Sequence, residues 1–324
     1  MEKERIYWID WVKTISIYAV VLVHLHITET IRESLLLWVN GLFFLISGYL
    51  YKKNTFKKEV IKSVQSIFVP FLIYAIGITL LYMAKSGINY DFSYNLLTLN
   101  FTKLVSIFAP ICPLWFLISL FFMRIVTAIS KFIPLILIII SFVLFYTLET
   151  PQNYNNFMFM TTLLCYPYFY TGIIAKKFNL INKVCNLIKA TSIWIKLITL
   201  LMTFIILTIV GLTNGKTDMV QCNYGESGWI FFPISFLLCA IIIIYCYFFL
   251  NKNNGIIVHI SSGTMMILAI HFPIISFIKN IIPLNSFLDR FIISILIMVL
   301  CYIGIIIAER YCKVLIGKNK FLEK

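Results

Sequence analysis

The sequence predicts an all-α polytopic membrane protein, and two observations carry the prediction: the composition and the continuity of the apolar runs. Hydrophobic residues make up 61% of the 324 residues and charged residues only 12%, with a mean hydropathy of +0.94. A water-soluble protein of this size needs more polar surface than this composition provides. The apolar runs are continuous, whereas an outer-membrane β-barrel requires alternating apolar and polar residues. Both of those classes are therefore excluded.

Apolar windows of membrane length occur about ten times along the chain. They cover residues 9–28, 35–51, 64–84, 113–130, 132–149, 157–175, 193–213, 229–250, 263–283 and 287–308. No linker, soluble domain or fixed-period repeat separates them, so residues 1–324 are expected to form a single membrane domain. The first window is long and lacks a small-residue cleavage site, so we expect it to be retained as a membrane helix.

The distribution of basic residues predicts the orientation in the membrane. With the N-terminus in the cytoplasm, 21 of the 27 lysines and arginines fall on the inner side of the ten-helix topology. Cytoplasmic loops are enriched in Lys and Arg, so both termini are predicted to be cytoplasmic. The same enrichment accounts for the net charge of +14 without a nucleic-acid partner. The lipid bilayer is an expected partner, and the oligomeric state is left open.

Two basic segments, residues 51–63 and 176–196, lie on the predicted cytoplasmic side. One interpretation is a topology signal that also attracts anionic lipid. The other is a docking surface for a phosphorylated cytosolic donor. Charge alone favours the first interpretation and leaves the second open for both segments.

Lys13 and His24 are ionisable side chains inside the first apolar window. Eleven residues correspond to three helical turns plus roughly 20°, so both side chains point the same way and lie ~16 Å apart along the axis. Ionisable groups inside a membrane are costly and indicate function. Asp10, three residues before Lys13, is expected to pair with it at helical spacing, and such a pair is also consistent with a purely structural role.

His271 lies near the middle of the ninth window. A buried histidine is either a structural hydrogen-bonding group or, because imidazole titrates near neutral pH, a base. The eight cysteines are scattered, mostly within apolar segments, without a CxxC pair or a Cys/His ligand spacing. We therefore interpret the cysteines as small hydrophobic residues and predict no metal site.

Five stretches of the sequence form an ordered set. The first is Trp8-Ile-Asp10-Trp-Val-Lys13, followed by ten residues and His24, and the others are LFFLISGYL at 42–50, VPF at 69–71, PLWFL at 113–117 and IHFP at 270–273. This set resembles the sequence elements of the acyltransferase-3 family. Its members are polytopic inner-membrane proteins of bacteria, with relatives in animals, that O-acylate glycans and other acceptors. The resemblance spans residues 5–320.

The resemblance implies a multi-pass O-acyltransferase of the bacterial cytoplasmic membrane. It would move an acyl group, preferably acetyl, from cytosolic acyl-CoA (acetyl-CoA) to a hydroxyl of a surface polysaccharide or its lipid-linked precursor. Acyl transfer needs a base or an acyl carrier, and His24 fits either role. Lys13 fits the steering of the CoA phosphates or the thioester, with Asp10 as its partner, and His271 fits support or a relay.

The sequence also departs from the family pattern. Members often carry an Arg-x-x-Arg pair before the proline of the third helix, proposed to engage the acyl-CoA donor. Ser63 and Ser66 stand at the aligned positions, and Lys58 and Lys62 are the nearest cations. These two lysines are therefore the candidate donor-binding residues. A second histidine found in some relatives is replaced by Val39, so no two-histidine mechanism is transferred from them.

Two other function classes remain open. A transporter or flippase would use Lys13, His24 and His271 as a polar pathway, although no two-fold repeat is visible. A polysaccharide polymerase or membrane glycosyltransferase would need an acidic site in an outer loop, where Asp218 and Glu226 are the candidate pair.

Overall fold

The computed structural model describes residues 5–86, 113–130, 132–147, 157–219 and 222–318. Residues 148–149 of the fifth predicted span lie outside the described residues. So do five of the cations used to predict the orientation, namely Lys3, Lys103, Lys131, Lys320 and Lys324.

The described residues are almost entirely helical. We number the α-helices in chain order: α1 Tyr7–Leu25, α2 Glu29–Leu36, α3 Val39–Leu50, α4 Phe56–Ser63, α5 Val69–Ser86, α6 Trp115–Ile129, α7 Ile133–Thr147, α8 Phe157–Lys177, α9 Leu180–Leu187, α10 Ile193–Thr213, α11 Gly228–Phe249, α12 Gly255–Ser262, α13 Thr264–Lys279 and α14 Phe287–Tyr311. A π-helical turn, Val64–Phe68, joins α4 to α5, and a 3-10 turn, Lys313–Ile316, follows α14. Two short strands, β1 Thr217–Asp218 and β2 Asn223–Tyr224, pair antiparallel.

Several helices are long and apolar enough to cross a membrane. Within the described ranges there are six such stretches: Tyr7–Leu25, Glu29–Leu50, Phe56–Ala84, Ile193–Thr213, Gly228–Phe249 and Phe287–Tyr311. The bent pair α12 and α13 adds a seventh if it is counted as one span. The prediction of an all-α multi-pass membrane protein is thereby confirmed. The number of ten spans and the cytoplasmic location of both termini stay predictions.

Helix α1 lies at the centre of the bundle. It contacts α2, α3, α11, α12, α13 and α14, and 12 of its 19 residues are buried. Helix α10 is the opposite case, because only Lys196 and Gly211 are buried among its 21 residues. An apolar helix with exposed side chains on most of its surface is typical of a position facing lipid. By contrast, Lys13 and His24 of α1 face other helices of the bundle and not lipid.

Helices α3 and α8 pack backbone against backbone. A Cβ atom on Gly48 would lie 1.8 Å from the carbonyl oxygen of Phe169, and one on Gly172 would lie 2.0 Å from the carbonyl oxygen of Leu45. Such an approach of two membrane helices requires small residues. The 42–50 stretch is therefore a packing surface, and it fixes α3 beside α8.

The contacts between helix termini define two ends of the bundle. We call the end that contains the start of α1 the N-terminal end. At the N-terminal end, the Trp8 ring lies 5.5 Å from the Tyr49 ring, and the backbone N–H of Trp8 donates to Asn251 Oδ1 at 3.1 Å. At the other end, which we call the distal end, Arg290 donates to the carbonyl oxygen of His26. Helix α1 runs from the N-terminal end to the distal end.

Candidate active site

The chain bends by 78° between α12 and α13. The N–H of Gly263 donates to the carbonyl oxygens of His259 at 3.0 Å and Ile260 at 3.1 Å, which ends α12. A Cβ atom on Gly263 would lie 2.3 Å from the Ile305 side chain, so the glycine lets α14 pass close to the break. The predicted window 263–283 begins at this break and misses the short helix before it.

Asp10 is buried at the N-terminal end of α1, where its carboxylate joins two parts of the chain. It accepts hydrogen bonds from the Arg5 guanidinium at 2.7 and 2.9 Å and from the Ser261 hydroxyl at 2.6 Å. The bond to Asp10 raises the pKa of Arg5 above its ordinary value. The sequence predicts that Asp10 pairs with Lys13. In the structure, Asp10 instead pairs with Arg5, and both Asp10 and Lys13 form hydrogen bonds with Ser261.

Lys13 is fixed by the end of α12. Its ammonium group donates to the carbonyl oxygen of Ser261, which also accepts from the Thr264 hydroxyl at 3.3 Å. The last carbonyls of a helix lack intrahelical partners and carry the negative end of the helix dipole, so they favour a cation. Ser261 thus holds Lys13 through its backbone and Asp10 through its side chain.

His24 and His271 lie side by side, although they come from helices far apart in the sequence. Their ring centroids are 5.0 Å apart, and the His24 ring also meets Phe272 edge-on at 5.3 Å. His271 is fully buried, and its Nδ1 lies 2.8 Å from the carbonyl oxygen of Ile267. Since a carbonyl only accepts, we assign the proton of His271 to Nδ1. Its Nε2 is then an acceptor, and it has no hydrogen-bond partner among the described residues.

A cavity of about 260 Å³ lies between α1, α3, α4, α6 and α13. Four cationic side chains line it, those of Lys13, Lys52, Lys62 and Arg124. Its lining also includes Leu268, which lies three residues before His271 on α13. Residues three apart on a helix share a face, so the cavity approaches the histidine pair from the N-terminal end. We call this space the cationic cavity.

A buried carboxylate positions one of these cations. Glu59 is fully buried and accepts from Arg124 at 2.6 and 2.8 Å. It also accepts from Asn54 at 2.5 Å and from Ser63 at 3.3 Å. A charged group inside a protein is stable only when it is paired and hydrogen-bonded. Glu59 therefore holds the Arg124 guanidinium of α6 against α4, at the level of Ser63.

The two lysines predicted to contact a donor differ in position. Lys62 lines the cationic cavity, whereas Lys58 is exposed and is not part of its lining. The sequence interpretation missed Arg124 and Lys52 as members of the same cluster. The sequence could have indicated Arg124, because an arginine inside an apolar membrane window is energetically costly and therefore often functional.

Other candidate groups lie apart from this cluster. Among the residues that the structure describes, no group of three or more His, Cys, Asp or Glu side chains has a geometry that would hold a metal ion. Of the two acidic residues considered for an outer-loop site, Asp218 is partly buried in β1 and Glu226 is exposed. The N–H of Glu226 donates to the carbonyl oxygen of Asn214 at 2.7 Å, which fixes the loop at the distal end.

Comparison with known proteins gives one match. The acyltransferase-3 family model, described as an acyltransferase domain, matches residues 6–310, nearly the whole chain. The match includes α1, the cationic cavity and the His24–His271 pair. No curated protein and no solved structure matches the chain.

Proposed function

Because the chain belongs to the acyltransferase-3 family, we propose that this membrane acyltransferase moves an acetyl group from cytosolic acetyl-CoA to a hydroxyl of a glycan. The acceptor is a surface polysaccharide or its lipid-linked precursor. The observation that supports this best is the arrangement along α1. A cationic cavity lies at its N-terminal end, and a histidine pair lies two to three turns further towards the distal end.

The cationic cavity fits the phosphate groups of an acyl-CoA donor. Lys52, Lys62 and Arg124 converge there, and phosphate is bound best by guanidinium and ammonium groups. The family pattern places an arginine where this chain has Ser63. Ser63 donates to Glu59, which in turn holds Arg124. An arginine from α6 therefore supplies the charge that the family usually carries before the third-helix proline.

Lys13 lines the same cavity as the three proposed phosphate-binding cations and lies on the same helix as His24. Its ammonium group is fixed by the Ser261 carbonyl. In this position it stabilises negative charge at the thioester end of the donor, as an oxyanion forms on the carbonyl oxygen. Asp10 and Ser261 act as positioning residues, because they fix the end of α12 against α1.

His24 supplies the base for acyl transfer. It takes the proton of the acceptor hydroxyl as the oxygen attacks the thioester carbonyl, and the C–S bond then breaks to release CoA as a thiolate that takes up a proton. The Nε2 atom of His271 has no hydrogen-bond partner among the described residues, and its ring centre lies 5.0 Å from that of His24. A rotation of the His24 ring during the reaction would let this Nε2 accept the His24 N–H and orient the ring. In the second form of this proposal, the His24 nitrogen itself carries the acyl group between the two substrates.

The charge distribution supports the proposed location. Most described lysines and arginines lie at the N-terminal end, which suits the cytoplasmic side of a bacterial inner membrane. With ten spans, both termini lie in the cytoplasm. Donor binding at the N-terminal end and acceptor binding towards the distal end then match a cytosolic CoA ester and an external glycan.

A complementation experiment tests the proposal. The gene is deleted and replaced by wild type, His24→Ala or His26→Asn, and the ester-linked acyl content of the surface glycan is measured. His26 is a matched control because it ends α1 with a left-handed φ of 51°, which asparagine tolerates. His24→Ala is expected to abolish the ester with the glycan length unchanged, and His26→Asn to retain it. Full esterification with His24→Ala would falsify the proposal, and shortened glycan chains would favour a polymerase.

A further inference from the structure

Residues 177–189 form a surface at the N-terminal end that acyl transfer does not use. Helix α8 ends at Lys177 and α10 begins at Ile193, and each contains 21 residues. Helix α10 is long and apolar enough to cross a membrane, and α8 belongs to the apolar window predicted at residues 157–175. The segment that connects them, including α9, therefore lies at the membrane surface. We call residues 177–189 the α9 surface.

Helix α9 presents apolar side chains away from the protein. Leu180, Val184 and Leu187 follow one another at i, i+4 and i+7, which places them on one face, and they are 40%, 42% and 84% exposed. Phe178, just before the helix, is 51% exposed. Cys185 on the other side of α9 is buried against the bundle. The face of α9 that points away from the bundle is therefore apolar, and it lies at the membrane surface.

Lysines border this apolar strip, and the sequence around them is free of acidic residues. Lys177, Lys183 and Lys189 are exposed, and Lys177 Nζ lies 5.2 Å from the centre of the Phe178 ring. The sequence contains no Asp or Glu from residue 150 to residue 217. Apolar side chains bordered by cations fit the boundary between acyl chains and anionic headgroups. A soluble anion would match the lysines and leave the apolar strip in water.

The surface is attached firmly to the bundle. Lys196 is buried and differs from the other lysines of this region. It donates to the carbonyl oxygen of Lys189 at 2.8 Å, and its Nζ lies 4.5 Å from the centre of the Phe248 ring on α11. At the start of α9, the Asn182 amide donates to Asn179 Oδ1 at 2.7 Å. Helix α9 also contacts α8 and α11, so its exposed face has a defined direction.

We propose that the α9 surface binds anionic phospholipids of the leaflet at the N-terminal end. The three lysines contact headgroup phosphates, and the strip of Leu180, Val184 and Leu187 contacts the upper part of the acyl chains. Charge complementarity selects anionic over zwitterionic lipid. This lipid site does not depend on the proposed acyl transfer, because lipid binding is measured without an acyl-transfer assay.

The test uses the full-length protein purified in detergent, with bound lipid counted by native mass spectrometry during titration with phosphatidylglycerol or phosphatidylcholine. The K177Q/K183Q/K189Q variant is compared with K53Q/K252Q/K313Q, which removes three exposed lysines from elsewhere at the same end. The first variant is expected to bind phosphatidylglycerol roughly tenfold more weakly, since each lysine near an anionic leaflet contributes to binding. The control variant is expected to match wild type. Equal affinity of the two variants would overturn the proposal.

Two further measurements distinguish a lipid from a free anion. Leu187→Ser is expected to weaken the binding of both lipids by a similar factor, because it removes an acyl-chain contact and no charge. Inorganic phosphate at millimolar concentration is expected to leave bound phosphatidylglycerol in place. Displacement by phosphate, or unchanged binding in Leu187→Ser, would show a soluble-anion site and contradict a lipid surface.

Discussion

The two basic segments, residues 51–63 and 176–196, look alike in the sequence and differ in the structure. In the first, a buried acidic residue, Glu59, lies among the cations, and Lys62 lines an internal cavity. In the second, exposed lysines border an apolar strip, and the acidic residue is missing. A buried carboxylate fixes the position of the cation that pairs with it. Exposed lysines without such a carboxylate are free to contact a charged surface. The partners of the cations, and not their number, therefore separate a ligand cavity from a lipid-facing surface.

The largest effect is expected for Arg124→Met, which tests the role of the buried acid. This change leaves the Glu59 carboxylate buried without its cation and is expected to destabilise the protein by about 3–5 kcal/mol. The melting temperature of the purified protein in detergent measures the loss. The double variant Glu59→Gln/Arg124→Met removes both charges and is expected to recover most of the stability. A single variant as stable as wild type would show that the pair does not organise the first segment.

The next largest effect concerns donor binding. Lys62→Gln is expected to raise the KM for acetyl-CoA roughly tenfold with a small change in kcat, because a charge-assisted hydrogen bond contributes about 1.5–3 kcal/mol. Lys58→Gln is the matched control, since Lys58 is exposed outside the cavity. Initial rates in proteoliposomes give both constants. Equal KM values for the two variants would remove the distinction between cavity and surface lysines in this segment.

A smaller effect is expected for the one buried lysine of the second segment. Lys196→Met removes the bond to the Lys189 carbonyl and the contact with the Phe248 ring, and we expect a loss of about 1 kcal/mol. Lys183→Gln, at an exposed position, is expected to change stability by less than about 0.5 kcal/mol. Thermal unfolding of both variants in detergent measures the difference. A larger loss for Lys183→Gln than for Lys196→Met would contradict this difference between an exposed and a buried lysine.

The smallest effect is expected when the surface lysines are tested for donor binding. K177Q/K183Q/K189Q is expected to leave the KM for acetyl-CoA within about twofold of wild type, because surface charges are screened over roughly 10 Å. The assay is the one used for Lys62→Gln. A tenfold rise would mean that the second segment also belongs to the donor site, and the comparison between the two segments would fail.

Some of the site could be predicted because helical geometry is local. The distance from Lys13 to His24 and their common direction follow from eleven residues of one helix, and the structure keeps that helix intact as α1. The family resemblance likewise depends on short ordered stretches, and the family match confirms it. The membrane class follows from composition, because a bilayer restricts the possible folds to helices and barrels.

Other features could not be predicted, because they depend on which helices meet. Periodicity shows the direction of a side chain but not its partner, so the contact of His24 with His271 and the pair of Glu59 with Arg124 were not visible. Helix α12 was missed since a hydropathy window does not detect a short helix before a sharp bend. Its start carries a local signal, because the Asn254 side chain accepts from the N–H groups of Ile256 and Ile257.

The contact between Lys13 and Ser261 has a consequence for how the protein is made. The two residues are 248 positions apart, and a ribosome adds about 5–20 residues per second. Lys13 therefore waits on the order of ten seconds to a minute before its carbonyl partner is synthesised. During that time its ammonium group needs another hydrogen-bonding partner, such as water, a lipid headgroup or the insertion machinery. A chain terminated before α12 would lack the Ser261 carbonyl that binds Lys13. We expect quality-control proteases to degrade such a truncated chain.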